Sequence, residues 1–338
     1  MSTPTQSVSS QLIRSDPPII EKIRPLEWYT LRYWVRETAV YDRRKYRSQK
    51  RPITFNRVMR MKKPNLDSPI FVLGAPRSGT TFLGTCVETL PEVSYHFEPI
   101  AIKAATSYVY TDQWSTARAK RFYPRVYRWL MRLHFDADLR LADKTPRNSL
   151  IVPALYKAFP KAQFIFIQRD GRDAALSLSK KLWYQNQMKG QNIKEPAGYT
   201  FGPEARFWVE PARAEEFENT TDIHRCVWIW RQFVEHVLAA KPTIPQNQFH
   251  ELRYEDLVTQ PDLAANRLLD FLDISASDSR AQFVDFVGKN AQPTSIGNWK
   301  RELSLEQRQQ VEQEAGALLE SLGYGCQQTE KVSESVHE

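Results

Sequence analysis

The sequence has few cysteines and no long apolar run. Its three cysteines, Cys86, Cys226 and Cys326, lie far apart, outside any CxxC pair and away from a histidine cluster. This spacing argues against a disulfide framework and against a zinc site, so we expect buried or idle thiols. Mean hydropathy is −0.54, and no apolar stretch approaches the roughly 20 residues that a membrane-spanning helix needs.

The N-terminal 18 residues are polar and contain no apolar segment of the kind found in secretory signals. Together with the lack of a membrane span, this predicts a cytoplasmic protein. We expect residues 1–20 and 326–338 to be disordered tails. No linker rich in Gly, Ser or Pro divides the rest of the chain, which predicts one large domain over residues 67–325.

Acidic residues are in deficit, 39 against 47 Lys and Arg, which gives a formal net charge of +8. Such an excess suits nucleic acid, an anionic glycan, a membrane surface or a phosphate-rich cofactor, and charge alone does not choose among them. Residues 21–66 form a basic, aromatic extension, in which Leu26, Tyr29, Trp34 and Val35 indicate an amphipathic helix. We favour a helix that packs on its own domain with its charges in solvent over one that binds a membrane or nucleic acid.

Short apolar strands alternate with helical patterns in the remaining chain. This alternation predicts an α/β fold of the P-loop type, with three layers: a mainly parallel central sheet and helices on both faces. Ligands of such sheets bind beyond the carboxyl ends of the strands. The strands are predicted at residues 69–73, 163–168 and 248–253.

The first predicted strand is followed by Gly74 and Gly79, at the glycine spacing of a phosphate-binding loop. Glycines let backbone N–H groups curl around an anion, and the next helix adds the positive end of its dipole. Nucleoside triphosphatases place a lysine after the second glycine, where this chain has Thr80 and then Thr81. The cation is Arg77, inside the loop. We therefore expect an anion cradle that does not hydrolyse ATP.

Several motifs together resemble the sulfotransferases that use 3′-phosphoadenylyl sulfate (PAPS). The sequence PRSGTT at 76–81 resembles their 5′-phosphosulfate loop, and Arg169 with Ser177 resembles their 3′-phosphate site. The motifs keep the family's order from 68 to 303, and they are closer to bacterial, carbohydrate and tyrosylprotein members than to cytosolic phenol and steroid enzymes. Further matches are Asp143-Lys-Thr-Pro146, Arg253-Tyr-Glu-Asp-Leu257 and Gly297-Asn-Trp-Lys300.

The resemblance implies an enzyme that moves a sulfuryl group from PAPS to a hydroxyl or amine by in-line displacement, without a metal and without a nucleic-acid partner. Cations and oriented amides would stabilise the charge on the leaving oxygen. The acceptor (glycan, lipid, peptide or small metabolite), the oligomeric state and contact with a membrane surface stay open. The implied cofactor-binding residues are Arg77, Ser78, Gly79, Thr80, Thr81, Arg169, Ser177 and Tyr254.

One motif of the cytosolic members is missing. They place Arg-Lys-Gly shortly before Gly-Asp-Trp-Lys, where this chain has Gln292-Pro-Thr294. Another group must therefore complete the cofactor site, and Lys289, Lys300 and Arg301 are the nearby candidates.

The catalytic base has two candidates. An acceptor hydroxyl needs a positioned group that takes its proton. In tyrosylprotein members a glutamate follows the loop arginine by 21 residues, which falls on Glu98 in this chain. His96 competes, because an extended segment would put both side chains on one face. Glu98 could instead only organise the loop by pairing with Arg77 or Lys144; Arg77 and Lys144 complete the predicted catalytic set.

Structural interpretations compete at other positions. Arg169 could pair with Asp170 or Asp173, Glu255 and Asp256 could cap the following helix, and Trp228, Trp230 and Trp299 are expected to pack in the core. Residues 182–222 are long and aromatic, which favours a lid that selects the acceptor. Two other functions stay open from the residues alone: a P-loop kinase, with Asp170 as a Walker B aspartate, and a basic module that binds an anionic polymer.

Overall fold

The computed structural model describes residues 26, 28–45, 52–194 and 199–325. Both predicted tails and Cys326 lie outside the described residues, whereas Cys86 and Cys226 are buried free thiols. The helices are α1 (Trp28–Lys45), α2 (Phe55–Arg60), α3 (Thr80–Glu88), α4 (Ile100–Tyr110), α5 (Thr116–His134), α6 (Val152–Ala158), α7 (Gly171–Ser179), α8 (Ala214–Asn219), α9 (Asp222–Ala240), α10 (Tyr254–Thr259), α11 (Pro261–Phe271), α12 (Ser277–Asn290), α13 (Trp299–Glu302) and α14 (Leu305–Ser321).

Five parallel strands form the sheet, in the order β2-β3-β1-β4-β5. β1 lies between β3 and β4. After β1 the chain continues towards one edge of the sheet, and after β4 it continues towards the other edge. The carboxyl ends of β1 and β4 therefore form the crevice where such folds bind ligands. The strands are β1 (Ile70–Leu73), β2 (Val93–Phe97), β3 (Arg140–Lys144), β4 (Gln163–Gln168) and β5 (Phe249–Arg253).

The sequence analysis did not predict two of the strands, β2 and β3. Both carry polar residues that obscure a strand pattern, yet Ser94, His96 and Asp143 are fully buried. The Asp143 carboxylate accepts from the Asn148 amide at 2.7 Å, and Ser94 Oγ lies 3.2 Å from His96 Nε2. Such internal pairing makes buried polar residues tolerable, and a single sequence does not reveal it.

Helices cover both faces of the sheet, which confirms the predicted three-layer α/β fold. β1 alternates its side chains accordingly. Phe71 and Leu73 join the larger apolar cluster with α1, α4, α5, α6, α7, α9 and α14. Ile70 and Val72 join the second cluster, with α3, α10, α11 and α12.

Helix α1 packs on the domain through one face. Leu31, Trp34, Val35 and Ala39 are buried in the larger cluster, beside α4 and α5. Their spacing of three and four residues is that of one helix face. The favoured interpretation of the basic extension as a helix packed on its own domain is therefore confirmed for α1.

Proline and core tryptophans account for two details of the helices. The segment after β5 forms two helices, because Pro261 begins α11 and lacks the N–H that would continue α10. Trp228 and Trp230 are fully buried on α9, as predicted. Trp299 packs against the larger cluster, with the Arg172 guanidinium 3.9 Å from its ring.

The segment of residues 182–222 is held to the domain core more firmly than we would expect of a lid whose aromatic side chains are exposed. Residues 195–198 within it are not described. Tyr199, Phe207 and Trp208 are buried core residues. Arg225 of α9 is fully buried and donates to the carbonyl oxygens of four residues of the segment, Tyr184, Phe217, Glu218 and Thr220. These bonds satisfy irregular backbone that would otherwise be costly to bury.

Among the described residues, no helix is both long and apolar enough to span a membrane.

Candidate active site

The loop between β1 and α3 adopts a conformation that its glycines permit. Gly79 has φ +90°, and a Cβ there would lie 2.5 Å from the ring of Tyr254. Gly74 has φ +149°, and a Cβ there would lie 2.7 Å from the carbonyl oxygen of Ile167. The backbone can therefore pass this close to β4 and α10 only with glycine at both positions.

The N-terminus of α3 has the features of an anion site. Gly79 is the N-cap residue, no side chain caps the helix, and the first turn contains no acidic residue. The Oγ of Ser78 is buried and has no hydrogen-bond partner among the described residues. Free N–H groups at a helix N-terminus, with an unpartnered hydroxyl beside them, suit a phosphate or sulfate.

Arg77, Arg169 and Ser177 come together across the crevice. Arg77 has φ +68° and its Nε donates to Ser177 Oγ at 3.1 Å. Arg169 donates to the carbonyl oxygens of Arg77 at 2.9 Å and Ser295 at 2.8 Å. Burial, and after it the nearby charge of Arg169, lowers the pKa of Arg77. The two predicted halves of the cofactor site are thus parts of one cationic crevice.

The structural pairings considered for Arg169 are wrong. Asp170 pairs with Arg172 at 2.7 Å. Asp173 accepts from the N–H groups of Gly297 at 2.6 Å and Trp299 at 3.0 Å. Both carboxylates are thus engaged elsewhere, and among the described residues neither forms an ion pair with Arg169, whose charge acts on Asp173 only from a distance. The buried Nε of Arg169 has no hydrogen bond to a described residue.

Tyr254 closes the crevice from the start of α10. Its ring packs on Gly79 and lies 4.6 Å from the Arg169 guanidinium. Its hydroxyl lies 2.9 Å from Ser295 Oγ. Ser295, which the sequence analysis missed, therefore contacts two predicted cofactor residues; its only sequence signal is its place beside the Gly-Asn-Trp-Lys motif.

The three candidates for the missing cytosolic motif have other contacts nearby. Lys289 donates to Asp285 at 2.7 Å, Arg301 donates to Asn298 at 2.7 Å, and Lys300 lies 5.8 Å from the Trp299 ring. In the described part of the chain, no hydrogen bond joins any of them to Arg169, whose guanidinium donates to Arg77 and Ser295.

Glu255 does not cap α10. It accepts from the N–H of Asp170 at 3.0 Å and from the hydroxyl of Tyr324 at 3.0 Å. It thus joins the ends of β4 and β5 to the C-terminal part of the domain.

Trp230 of α9 packs against the backbone that forms the crevice. Its ring lies against Gly171, where a Cβ would be 2.6 Å from the indole. Its Nε1 donates to the carbonyl oxygen of Arg169 at 3.2 Å. Helix α9 therefore fixes the backbone at the β4–α7 junction.

Glu98, Lys144 and Thr81 form a chain of polar contacts at the mouth of the loop. Lys144 Nζ lies 2.6 Å from Glu98 Oε1 and 3.2 Å from Thr81 Oγ1. Lys144 is fully buried at the end of β3, with its ammonium 3.7 Å from the Phe97 ring. The ammonium charge of Lys144 is therefore held inside the protein, out of contact with solvent.

A second cation, Lys103, holds the other side of the Glu98 carboxylate at 3.1 Å. Burial opposes the charge of Glu98, yet the Lys144 and Lys103 ammonium groups outweigh it and lower the pKa of Glu98 to about 2. Burial also lowers the pKa of Lys144, against the pull of Glu98. Sequence analysis missed Lys103, which lies on the first turn of α4, five residues after Glu98.

His96 lies apart from this chain. It is fully buried, 3.2 Å from Ser94, and its ring centroid is 5.6 Å from that of His134 on α5. The shared face expected for His96 and Glu98 is absent because β2 ends at Phe97 and Glu98 has φ +42°.

A cleft opens beside the loop, and among the described residues that line it Glu98 is the one acidic residue. Its cations are Arg77, Lys103, Arg147 and Arg206; the Arg147 guanidinium lies 3.6 Å from the Tyr199 ring, and that of Arg206 lies 4.5 Å from the Tyr184 ring. Residues 182–222 supply four of the lining side chains. The lining residues are Pro76, Arg77, Thr80, Thr81, Glu98, Lys103, Thr145, Pro146, Arg147, Trp183, Tyr184, Phe201, Arg206 and Phe233.

A group with metal-ligand spacing lies elsewhere. Among the described residues, Glu216, His224 and Glu314 lie within reach of one another. Arg213 pairs with both glutamates at 2.8 Å. The described part of the cleft lining therefore offers cations and a single carboxylate, a set suited to an anion.

The parallel sheet, the glycine loop and the cationic crevice define a P-loop-type α/β protein with a cradle suited to an anion at its strand ends. A family model described as "Sulfotransferase family" matches residues 103–278, just over half of the chain. The chain belongs to the sulfotransferase family, as the sequence motifs predicted.

Relatives in other organisms agree with this assignment. Protein-tyrosine sulfotransferase A of Caenorhabditis elegans is 22% identical over 251 residues, which cover 69% of this chain and 57% of that protein. Nodulation protein NoeE of Sinorhizobium fredii is 25% identical over 291 residues, covering 75% and 65%. The chain thus spans less than two thirds of either relative.

A solved structure supports the fold. Sulfotransferase STF9 of Mycobacterium avium matches with a TM-score of 0.52 and 15% identity, covering 88% of this chain and 86% of that one. At this identity the match concerns the fold alone.

Proposed function

We propose that this chain transfers a sulfuryl group from PAPS to a hydroxyl or amine of an acceptor held in the cleft. Family membership supports the reaction class. The observation that carries the proposal is the Glu98–Lys144–Thr81 chain, which joins a carboxylate open to the cleft with the mouth of the anion loop.

The described residues fit the donor nucleotide. Ser78 Oγ and Arg169 Nε are buried polar atoms that have no partner in the part of the chain that the structure describes, one in the loop and one across the crevice. Buried polar atoms normally have partners, so each is a place for a ligand atom. We assign the phosphosulfate to the amides of 78–81 with Arg77, and the 3′-phosphate to Arg169 and Ser177. PAPS would supply the sulfuryl group.

Glu98 is the proposed base. Its side chain is 22% exposed and faces the cleft, whereas His96 is fully buried. With a pKa of about 2, Glu98 is ionised at neutral pH but weakly basic while both lysines hold it. Its basicity must rise as the acceptor proton arrives.

Lys144 offers a way to raise that basicity. Its Nζ already contacts both Glu98 and Thr81. As negative charge develops beside the loop, the ammonium is drawn towards it, which stabilises that charge and weakens the hold on Glu98. One lysine thereby couples departure of the nucleotide to removal of the acceptor proton.

Arg77 is the third proposed catalytic group. It is half-buried at the loop, where burial and Arg169 already disfavour its charge. Two adjacent guanidinium groups repel each other in the free protein, and an anionic group at each of them relieves the repulsion. This favours a nucleotide that carries the phosphosulfate at one end and the 3′-phosphate at the other.

The acceptor contacts residues 182–222. Trp183, Tyr184 and Phe201 present aromatic surface, and the cleft cations surround it. We propose that these residues select the acceptor, whereas the crevice of Arg169 and Ser177 selects the donor.

The test is transfer of labelled sulfate from PAPS across a panel of glycans, lipids, peptides and small metabolites. Arg77→Ala should abolish transfer, whereas Arg267→Ala, at an exposed position of α11, should not. In parallel, adenosine 3′,5′-bisphosphate should raise the melting temperature without magnesium. Stabilisation by Mg-ATP alone would favour the kinase alternative and overturn the proposal.

A further inference from the structure

Helix α5 exposes a continuous basic stripe. Its 19 residues include six Lys and Arg and no acidic residue. Five of the six are spaced three or four residues apart, so they follow one side of the helix for about 20 Å. The opposite side, with Tyr123, Val126, Tyr127 and Leu130, is buried in the core. The spaced residues are Arg118, Arg121, Arg125, Arg128 and Arg132.

The stripe is largely uncompensated. Lys120, Arg121, Arg125 and Arg128 are exposed, and none forms an ion pair with a described residue. Surface arginines usually have carboxylates nearby, and α5 offers none. A run of like charge without counter-charges attracts an extended anion.

Helix α2 adds exposed apolar side chains at one end of this stripe. Phe55 is 77% exposed, and its apolar neighbours on α2 are exposed too. Arg57 fixes α2 there, because its Nη2 donates to the carbonyl oxygen of Phe135 at 2.5 Å and lies 3.4 Å from Asp136. Arg132 of the stripe donates to the carbonyl oxygen of Met61 at 2.8 Å. The exposed apolar residues of α2 are Phe55, Val58 and Met59; next to them, Ile53 just before α2 and Leu133 and Phe135 at the end of α5 are exposed too.

We propose that the α2–α5 face, meaning the arginine stripe of α5 with the apolar residues of α2, docks on an anionic lipid bilayer. Headgroup phosphates complement the stripe, and the apolar side chains enter the boundary between headgroups and acyl chains. An anionic polymer would engage the stripe but leave the apolar residues in water. Only the bilayer uses both features, which lie side by side.

Basic residues next to α2 extend the same face. Arg60, Lys62 and Lys63 are exposed directly after its apolar positions. Basic side chains that flank inserted apolar groups reach the phosphates while their stems cover apolar surface. This inference does not rest on the proposed transfer reaction.

The test is co-sedimentation of the full chain with vesicles of phosphatidylcholine, alone or mixed with phosphatidylglycerol. We expect binding only to the mixed vesicles, and weaker binding as salt rises from about 50 mM to about 500 mM. Absence of binding to mixed vesicles at low salt overturns the proposal.

Two pairs of variants separate the features. Arg121→Ser/Arg125→Ser/Arg128→Ser should weaken vesicle binding about tenfold or more. The control Lys161→Ser/Lys241→Ser/Arg267→Ser removes three charges from exposed positions elsewhere and should bind like the wild type. Phe55→Ser should weaken binding about threefold or more, whereas Leu305→Ser, at an equally exposed position (76%), should not.

The outcomes point in different directions. Loss of binding in both the arginine and the Phe55 variants, with both controls intact, supports the proposal. If Phe55→Ser binds vesicles as the wild type does and heparin binds in a way that only the arginine variant loses, the face takes an anionic polymer and the bilayer proposal fails. Unchanged melting temperatures show that neither variant acts through unfolding.

Discussion

Glu98 and Lys144 are joined twice, through the backbone and through their side chains. The N–H of Glu98 donates to the carbonyl oxygen of Lys144 at 3.0 Å, and Lys144 Nζ returns to Glu98 Oε1 at 2.6 Å. The β2–β3 register, which pairs Phe97 with Lys144, leads directly into this contact. The carboxylate is therefore positioned by sheet pairing, which a flexible loop alone would not provide.

Glu98→Gln should lower kcat by about 10²–10⁴-fold, because glutamine keeps the size and hydrogen bonding of Glu98 but cannot take the acceptor proton. Single-turnover transfer from labelled PAPS measures this. Affinity for adenosine 3′,5′-bisphosphate should stay near wild type. His96→Asn is the matched comparison: normal turnover in Glu98→Gln with a loss in His96→Asn would reverse the assignment.

The Glu98 carboxylate should also leave a signature in acid stability. Its pKa in the folded protein is lowered from 4.5 to about 2, so its stabilising effect is present above about pH 4.5 and disappears as pH falls towards 2. Thermal melts of wild type and Glu98→Gln should therefore differ most above about pH 4.5 and converge below it. A constant difference across this range contradicts the proposed pairing.

Arg169→Ala should weaken binding of adenosine 3′,5′-bisphosphate by about 1.5–3 kcal/mol, the size of a lost charge-assisted bond to phosphate. Adenosine 5′-monophosphate, which lacks the 3′ group, should bind nearly as well as before. Calorimetric titration of both nucleotides checks this. Equal losses for the two would mean that Arg169 supports the loop through Arg77 and Ser295 without reading the 3′-phosphate.

Gly79→Ala should strongly weaken nucleotide binding, because the added Cβ would lie 2.5 Å from the Tyr254 ring. The alanine would also have to adopt a backbone φ of +90°. Gly190→Ala has a similar φ of +77° but nothing within 4 Å of its Cβ. It should cost about 1 kcal/mol of stability from backbone strain and leave nucleotide affinity unchanged. Denaturant melts and nucleotide titrations of both variants separate strain from steric conflict.

Phe201→Ala should alter the KM for the acceptor, or its identity, while affinity for the desulfated nucleotide stays constant. The reason is its place in the cleft wall, contributed by residues 182–222. Leu182→Ala is the control, since Leu182 is exposed and does not line the cleft. A loss of nucleotide affinity with unchanged acceptor preference would contradict the division of roles.

The phosphate loop could be predicted from sequence because its chemistry is local: Gly74, Arg77 and Gly79 lie in one short segment. The strand that carries Lys144 could not, since its burial depends on Glu98, a partner 46 residues away. Ser295 and Arg225 were missed for the same reason: Ser295 contacts the distant side chains of Arg169 and Tyr254, and Arg225 donates to backbone oxygens of other segments, so neither role leaves a periodic pattern in the sequence. The aromatic residues of 182–222 were misleading in part, because the sequence does not distinguish rings that are buried in the core from rings that line the cleft.

Helix α9 contacts both the crevice around Arg169 and the cleft. Arg225 near its start holds the backbone of residues 182–222, Trp230 in its middle holds the carbonyl of Arg169, and Phe233 one turn later lines the cleft. In the proposed reaction, helical rise of about 1.5 Å per residue therefore sets the spacing between the donor crevice and the acceptor wall, independently of the sequence in the surface turns. We expect those turns to tolerate exchange for others of different length, giving new acceptors, while the distance for sulfuryl transfer stays constant.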